Sequence, residues 1–130
     1  MIRVVTAAIL LLCCSAANAE WRKVFVWSNS SVSYIEDSTT SAQGQFRYAW
    51  TLINYAQRRD DGSRSMRRKI QIDCNSGQAR YLDLSTYASP WASGAAVSQM
   101  NVSTGWFQIF SGNAGEDNDF KFLAFKFLCG

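Results

Sequence analysis

Cys74 and Cys129 are the two thiols in the body of this 130-residue chain, and just ahead of the first lies its densest run of cations: Arg58, Arg59, Arg64, Arg67, Arg68 and Lys69. A thiol pair can carry redox, nucleophilic or metal chemistry, or it can close a structural disulfide. Histidine, which would activate a serine or cysteine nucleophile and complete most zinc sites, is absent from the sequence. The carboxylate pairs are poor acid–base candidates. Glu36 and Asp37 would point to opposite faces of a strand. Asp60 and Asp61 sit beside Gly62 in a turn, where carboxylates stay solvated rather than tuned. Neither catalysis nor a cofactor is expected.

The same residue types suit binding better. Guanidinium forks match carboxylate and sulfate groups, so Arg58, Arg59, Arg64 and Arg67 are candidate contacts for an acidic glycan or glycoprotein. The alternative is a charged, solvated hairpin that blunts a sheet edge. Trp91, next to the single proline Pro90, is a candidate exposed anchor, because an aromatic ring buries much area at low entropic cost; packing over the sheet edge explains it too. Glu116-Asp117-Asn118-Asp119 could hold a hard cation but reads better as the acidic first turn of a helix, and no metal is assigned. With 13 basic against 10 acidic residues the formal charge is +3, too mild to point to nucleic acid.

The N-terminus sets the compartment. Arg3, the apolar run Val4–Leu12 and the ending Ala17-Asn18-Ala19 form the pattern of a secretory signal peptide over residues 1–19, leaving one domain, residues 20–130, that starts at Glu20. The apolar run is shorter than the roughly 20 residues a spanning helix needs, so no transmembrane segment is expected. Cys13 and Cys14 would leave with the leader, and Leu12 and Cys13 stand where lipid attachment wants a small residue. The product is exported, to the periplasm or beyond, with surface display open. Its two remaining cysteines are an even count in an oxidising compartment and are expected to be bonded. Closing a loop of about 55 residues contributes on the order of 4 kcal/mol in the chain-entropy model.

The elements that must carry these residues have a period of two. Trp21–Trp27 reads as a strand with Trp21, Lys23, Phe25 and Trp27 on one side, and Ser31–Glu36 as a short second one. Phe46, Tyr48, Trp50 and Leu52 alternate with Arg47, Ala49, Thr51 and Ile53, predicting a long strand whose aromatic side faces the core, with Trp50 and Trp106 as core residues. The turn Asp60-Asp61-Gly62-Ser63 leads to a partner strand through Cys74. Asn75-Ser76-Gly77 then leads to Ala79–Thr86 with Leu82 and Leu84 inward. Ala95–Val102 and Trp106–Phe110 are further strands. Asp119–Cys129 fits a helix with Phe120, Leu123, Ala124, Phe127 and Leu128 on one stripe, and strand alternation explains Phe120 and Phe122 equally well. A meander of about six antiparallel strands results.

The order Trp50-Thr51-Leu52-Ile53-Asn54-Tyr55, a Gly-bearing turn, Ser65, a basic strand into Ile72-Asp73-Cys74, then Arg80-Tyr81, Tyr87, Gly94, Trp106 and a closing Cys129 resembles the surface-adhesin protein E family of Gram-negative bacteria. The resemblance covers nearly the whole mature chain. It implies an α+β fold: a mainly antiparallel sheet with a C-terminal helix tied to it by the disulfide. It also implies an exported, non-enzymatic binding protein for host or matrix glycoproteins. A carrier of small ligands is the other function open to such a chain. It would need a pocket between sheet and helix, lined by Tyr48, Trp50 and Phe127.

Overall fold

The computed structural model describes residues 20–112 and 114–130; the signal peptide expected at residues 1–19 lies outside the described residues. Alternating side chains build strands β1 (Trp21–Val26), β2 (Val32–Glu36), β3 (Ser41–Gln43), β4 (Phe46–Asn54), β5 (Ser65–Asp73), β6 (Gln78–Ser89), β7 (Ser93–Ser103) and β8 (Phe107–Gln108), followed by helix α1 (Glu116–Cys129). All pairings are antiparallel in one sheet of order β1-β2-β4-β5-β6-β7, with β3 added to β4 and β8 to β6. The expected meander is present, and the C-terminal segment is the helix. Among the described residues no helix is long and apolar enough to cross a membrane.

The helix lies on the face opposite to the one the aromatic alternation suggested. Ala49 pairs with Ile70 and Arg47 with Ile72 across β4 and β5, and Ile70 and Ile72 pair in turn with Tyr81 and Ala79. Ala49, Ile70, Ile72, Ala79 and Tyr81 form the core with Ile35, Phe120 and Ala124, all but Tyr81 fully or almost fully sealed from solvent. Tyr48, Trp50 and Leu52 project from the other side of β4, because successive strand residues alternate faces. The physical reason is the depth of the packing. A helix comes close to a sheet over small and β-branched residues such as Ala49, Ile70, Ile72 and Ala79, whereas a row of Tyr and Trp would hold it away.

Bulges change the phase of the alternation in β6 and in β1. In β6 the register slips at Asp83, whose φ is +46°. Ala79 and Tyr81 therefore face the helix, while Leu82 turns to the open face and Leu84 returns to the helix side, so the expected inward pair Leu82 and Leu84 is split. In β1 a slip between Lys23 and Phe25 leaves Trp21 and Lys23 on the open side and directs Phe25 and Trp27 to the core. Trp27 donates its indole N–H to Ser33 Oγ at 2.7 Å, and its ring lies 6.3 Å from that of Phe120.

The helix is tied down at both ends. Glu116 accepts hydrogen bonds from Ser28 N (2.6 Å) and Ser28 Oγ (3.0 Å), and the Asn118 amide bonds both N and O of Phe110 at 2.9 Å. The acidic run is thus a set of structural tethers. At the other end Cys129 is bonded to Cys74, with Cα atoms 5.7 Å apart. The buried stripe is narrower than the sequence suggests: Phe120, Lys121 and Ala124 are buried, whereas Leu123 and Phe127 stay more than a third exposed. Lys121 reaches Asp117 at 2.6 Å and lies 4.2 Å from the Phe107 ring centroid, so its buried ammonium is paired.

Candidate functional site

The open face of the sheet collects cations over aromatic rings. Register places Trp50 opposite Lys69, Leu52 opposite Arg67 and Tyr48 opposite Gln71; one strand further on, Gln71 faces Arg80. Diagonal reach then stacks charge on rings. The Arg67 guanidinium lies 3.8 Å from the Trp50 ring centroid, Lys69 Nζ 5.4 Å from that of Tyr48, and the Arg80 guanidinium 4.6 Å from that of Trp106. Hydrogen bonds lock the row: Gln71 Nε2 donates to Tyr48 OH at 2.8 Å, and Arg80 Nε donates to Gln71 Oε1 at 2.6 Å. Trp106 also stacks on Phe46 with centroids 6.1 Å apart. Trp50 and Trp106 are therefore part of a solvent-facing surface, not of the core.

At the far end of this face the β6–β7 turn carries Trp91. It is 50 % exposed, its ring lies 4.8 Å from that of Tyr34, and its backbone N–H donates to Asn54 Oδ1 at 2.8 Å. Trp91 and Ala92 hold φ values of +64° and +53°, a left-handed conformation that disfavours any side chain by roughly 1–2 kcal/mol per residue. The tip is nevertheless pinned, since Ala92 N donates to Ser65 Oγ and Ser65 Oγ donates to Ser89 O. Trp91 is thus an exposed ring in a rigid, strained turn.

The four arginines singled out from the sequence are not one patch. Arg67 is on the open face, with Glu36 Oε2 at 3.4 Å. Arg58 is exposed but spends one nitrogen on the carbonyls of Gly62 (2.8 Å) and Ala88 (2.9 Å), bracing the turn. Arg59 lies over Tyr55, and Arg64 is half-buried with its Nε sealed from solvent. Arg68 is on the helix side, 3.5 Å from the Tyr81 ring centroid. Lys69, Arg80, Tyr34, Tyr48 and Trp50 were missed as a set because only the register brings them together. Their signal in the sequence was the strict alternation of β4 against β5, but it does not say which side the helix takes.

The turn chemistry around Gly62 is as expected: Asp61 Oδ1 accepts from Ser63 N (2.9 Å) and Ser63 Oγ (2.6 Å), which hold its carboxyl below the usual range. The pocket imagined for a carrier does not form, since Tyr48 and Trp50 are on the open face and Phe127 is on the helix side. Among the described residues no group of three or more His, Cys, Asp and Glu side chains is placed to hold a metal ion.

The sequence profile of surface-adhesin protein E matches residues 21–129, spanning every strand and the helix. The chain belongs to the surface-adhesin protein E family. Members are exported proteins of adhesin type, and the adhesin-E fold is recovered in solved structures. Crystal form II of Haemophilus influenzae protein E superposes with a TM-score of 0.60 at 13% identity, covering 88% of this chain and 93% of that one. A second structure of the same protein gives 0.60 at 12% identity over 86% and 88%. Protein E from non-typeable Haemophilus influenzae gives 0.53 at 12% identity over 76% and 72%. At such identities the likeness establishes the adhesin-E architecture and not the surface chemistry. No curated protein matches the sequence.

Proposed function

We propose that this adhesin-E chain, cleaved after Ala19 and exported as residues 20–130, is a non-catalytic binding protein whose open sheet face recognises an acidic glycan or glycoprotein. The observation that carries the reading is the row of Arg67, Lys69 and Arg80, each set against an aromatic ring. Guanidinium and ammonium groups address sulfate or carboxylate, and rings such as Trp50 and Trp106 offer flat surfaces to sugar faces. Strand positions on this face add Lys23, while Glu36 and Asp73 are its carboxylates. Asp73 is occupied, accepting from Asn75 N and Ser76 N. In this reading Trp91 and Arg67 are contacts, Arg58 braces the adjoining turn, and Arg59 and Arg64 are not assigned to this surface.

The decisive experiment is heparin binding as a function of salt. Screening shortens the reach of charges from about 10 Å at 0.1 M to about 3 Å at 1 M, so retention should fall steeply across that range. Combined replacement of Arg67, Lys69 and Arg80 by Gln should abolish it. Retention as strong as that of the parent would overturn the reading. Intact-mass analysis of exported protein should show a chain beginning at Glu20 without a lipid adduct, and fractionation would place it in periplasm, outer membrane or medium.

A further inference from the structure

Helix α1 covers only part of its side of the sheet. Beyond Phe120, toward the Arg59–Ser63 turn, the same side opens into a cavity of about 490 Å³ walled by Ile53, Met66, Leu84 and Met100. That volume falls within the roughly 300–1,000 Å³ of small-molecule sites, and thioether walls adapt to irregular shapes. Most polar groups at the cavity are already engaged. Thr86 and Ser98 hydroxyls bond each other at 2.6 Å, Tyr55 OH meets Met66 Sδ at 3.7 Å, and the Asp61 carboxylate is turned into its own loop by Ser63.

The two guanidinium groups are the exception. Arg68 and Arg59 both line the cavity, and among the described residues neither has a carboxylate within ion-pair distance. Each lies against a ring instead: Arg68 3.5 Å from the Tyr81 centroid, Arg59 4.8 Å from that of Tyr55. Stacking on a face leaves the in-plane N–H donors of a guanidinium available for an anion. Apolar walls with unspent forked donors on one side complement an amphiphile with an anionic head.

We propose that this cavity binds a small organic acid, an apolar body seated between Met66, Leu84 and Met100 with its carboxylate forked by Arg68 and Arg59. The site is on the opposite side of the sheet from the proposed glycan surface, so the two readings stand or fall separately.

The methionines after Met1 are Met66 and Met100, and both line the cavity. Protein labelled at the methionine methyls is titrated with 1-naphthaleneacetate and, separately, with the cation 1-naphthylmethylammonium, the two signals being assigned by Met66→Leu and Met100→Leu. Both signals should shift saturably with the acid and not with the amine. Arg68→Gln should weaken the acid at least tenfold and Arg59→Gln at least threefold, while Lys126→Gln, on the helix, should change it less than twofold. Arg59 is exposed, so its variant remains informative if Arg68→Gln folds poorly. Absence of a saturable shift, an equal response to acid and amine, or parental affinity in both arginine variants would overturn the proposal.

Discussion

The Arg67 guanidinium lies over the Trp50 indole at 3.8 Å while Glu36 approaches it at 3.4 Å, so one cation on the open face is shared between a ring and a carboxylate. A partly exposed pair of this kind contributes less than about 1 kcal/mol to folding. Arg67→Gln should accordingly leave the urea midpoint almost unchanged, yet lower heparin affinity several-fold and shift Trp50 fluorescence. A large stability loss with unaltered binding would make Arg67 structural.

Trp91 separates strain from function. Ala92→Gly should raise stability by about 0.5–1 kcal/mol, because glycine adopts positive φ freely. Trp91→Gly exchanges the same relief for the lost contact with Tyr34, leaving the melting temperature close to that of the parent. Binding to heparin or an acidic glycoprotein should nonetheless weaken several-fold. Unchanged binding in Trp91→Gly would remove the anchor role.

The disulfide and the helix core reinforce each other. Cys74 and Cys129 are separated by 55 residues, and joint replacement by Ser should cost about 4 kcal/mol, read as a fall in the urea midpoint. Phe120 is only 1% exposed, and Phe120→Ala should cost about 3–5 kcal/mol. Non-reducing peptide mapping should recover the Cys74 and Cys129 peptides joined.

Tyr81 contributes to the alkaline limb. Burial pushes its phenol up to about 12, opposed by Arg68 and assisted by Asp117, and its hydroxyl has no partner among the described residues. Below about pH 10 the phenol is neutral in both folded and unfolded chains, so it gives stability no slope. Between pH 10 and 12 the unfolded chain ionises first, and stability falls by about 1.4 kcal/mol per pH unit from this group. Tyr81→Phe should flatten that part of the denaturation profile. At pH 7 it should raise stability by about 1 kcal/mol, since it removes an unsatisfied buried hydroxyl. An unchanged alkaline slope would contradict this.

Much of the architecture is local and was legible in the residues. Period-two alternation marks β4 and β5, Gly62 and Gly77 take the positive φ their turns require, and the even count of cysteines expected downstream of the leader anticipates the bond between Cys74 and Cys129. Periodicity sorts side chains into two sets and does not say which set is buried, and both sides of β4 are apolar enough to be core. That choice belongs to the helix, which settles over Ala49, Ile70, Ile72 and Ala79 because small and branched side chains allow close approach. Once it does so, Tyr48 and Trp50 become surface, and the bulge at Asp83 sends Leu82 and Leu84 to opposite faces. The pairing of Arg67 with Trp50 and of Arg80 with Trp106 exists only after strands from distant parts of the chain lie in register. Strand order and helix placement are long-range packing decisions, and so most of the strands and the covalent closure follow from the sequence alone, while the short strand β3, the state of the C-terminal segment and the composition of each binding face are decided by the tertiary structure.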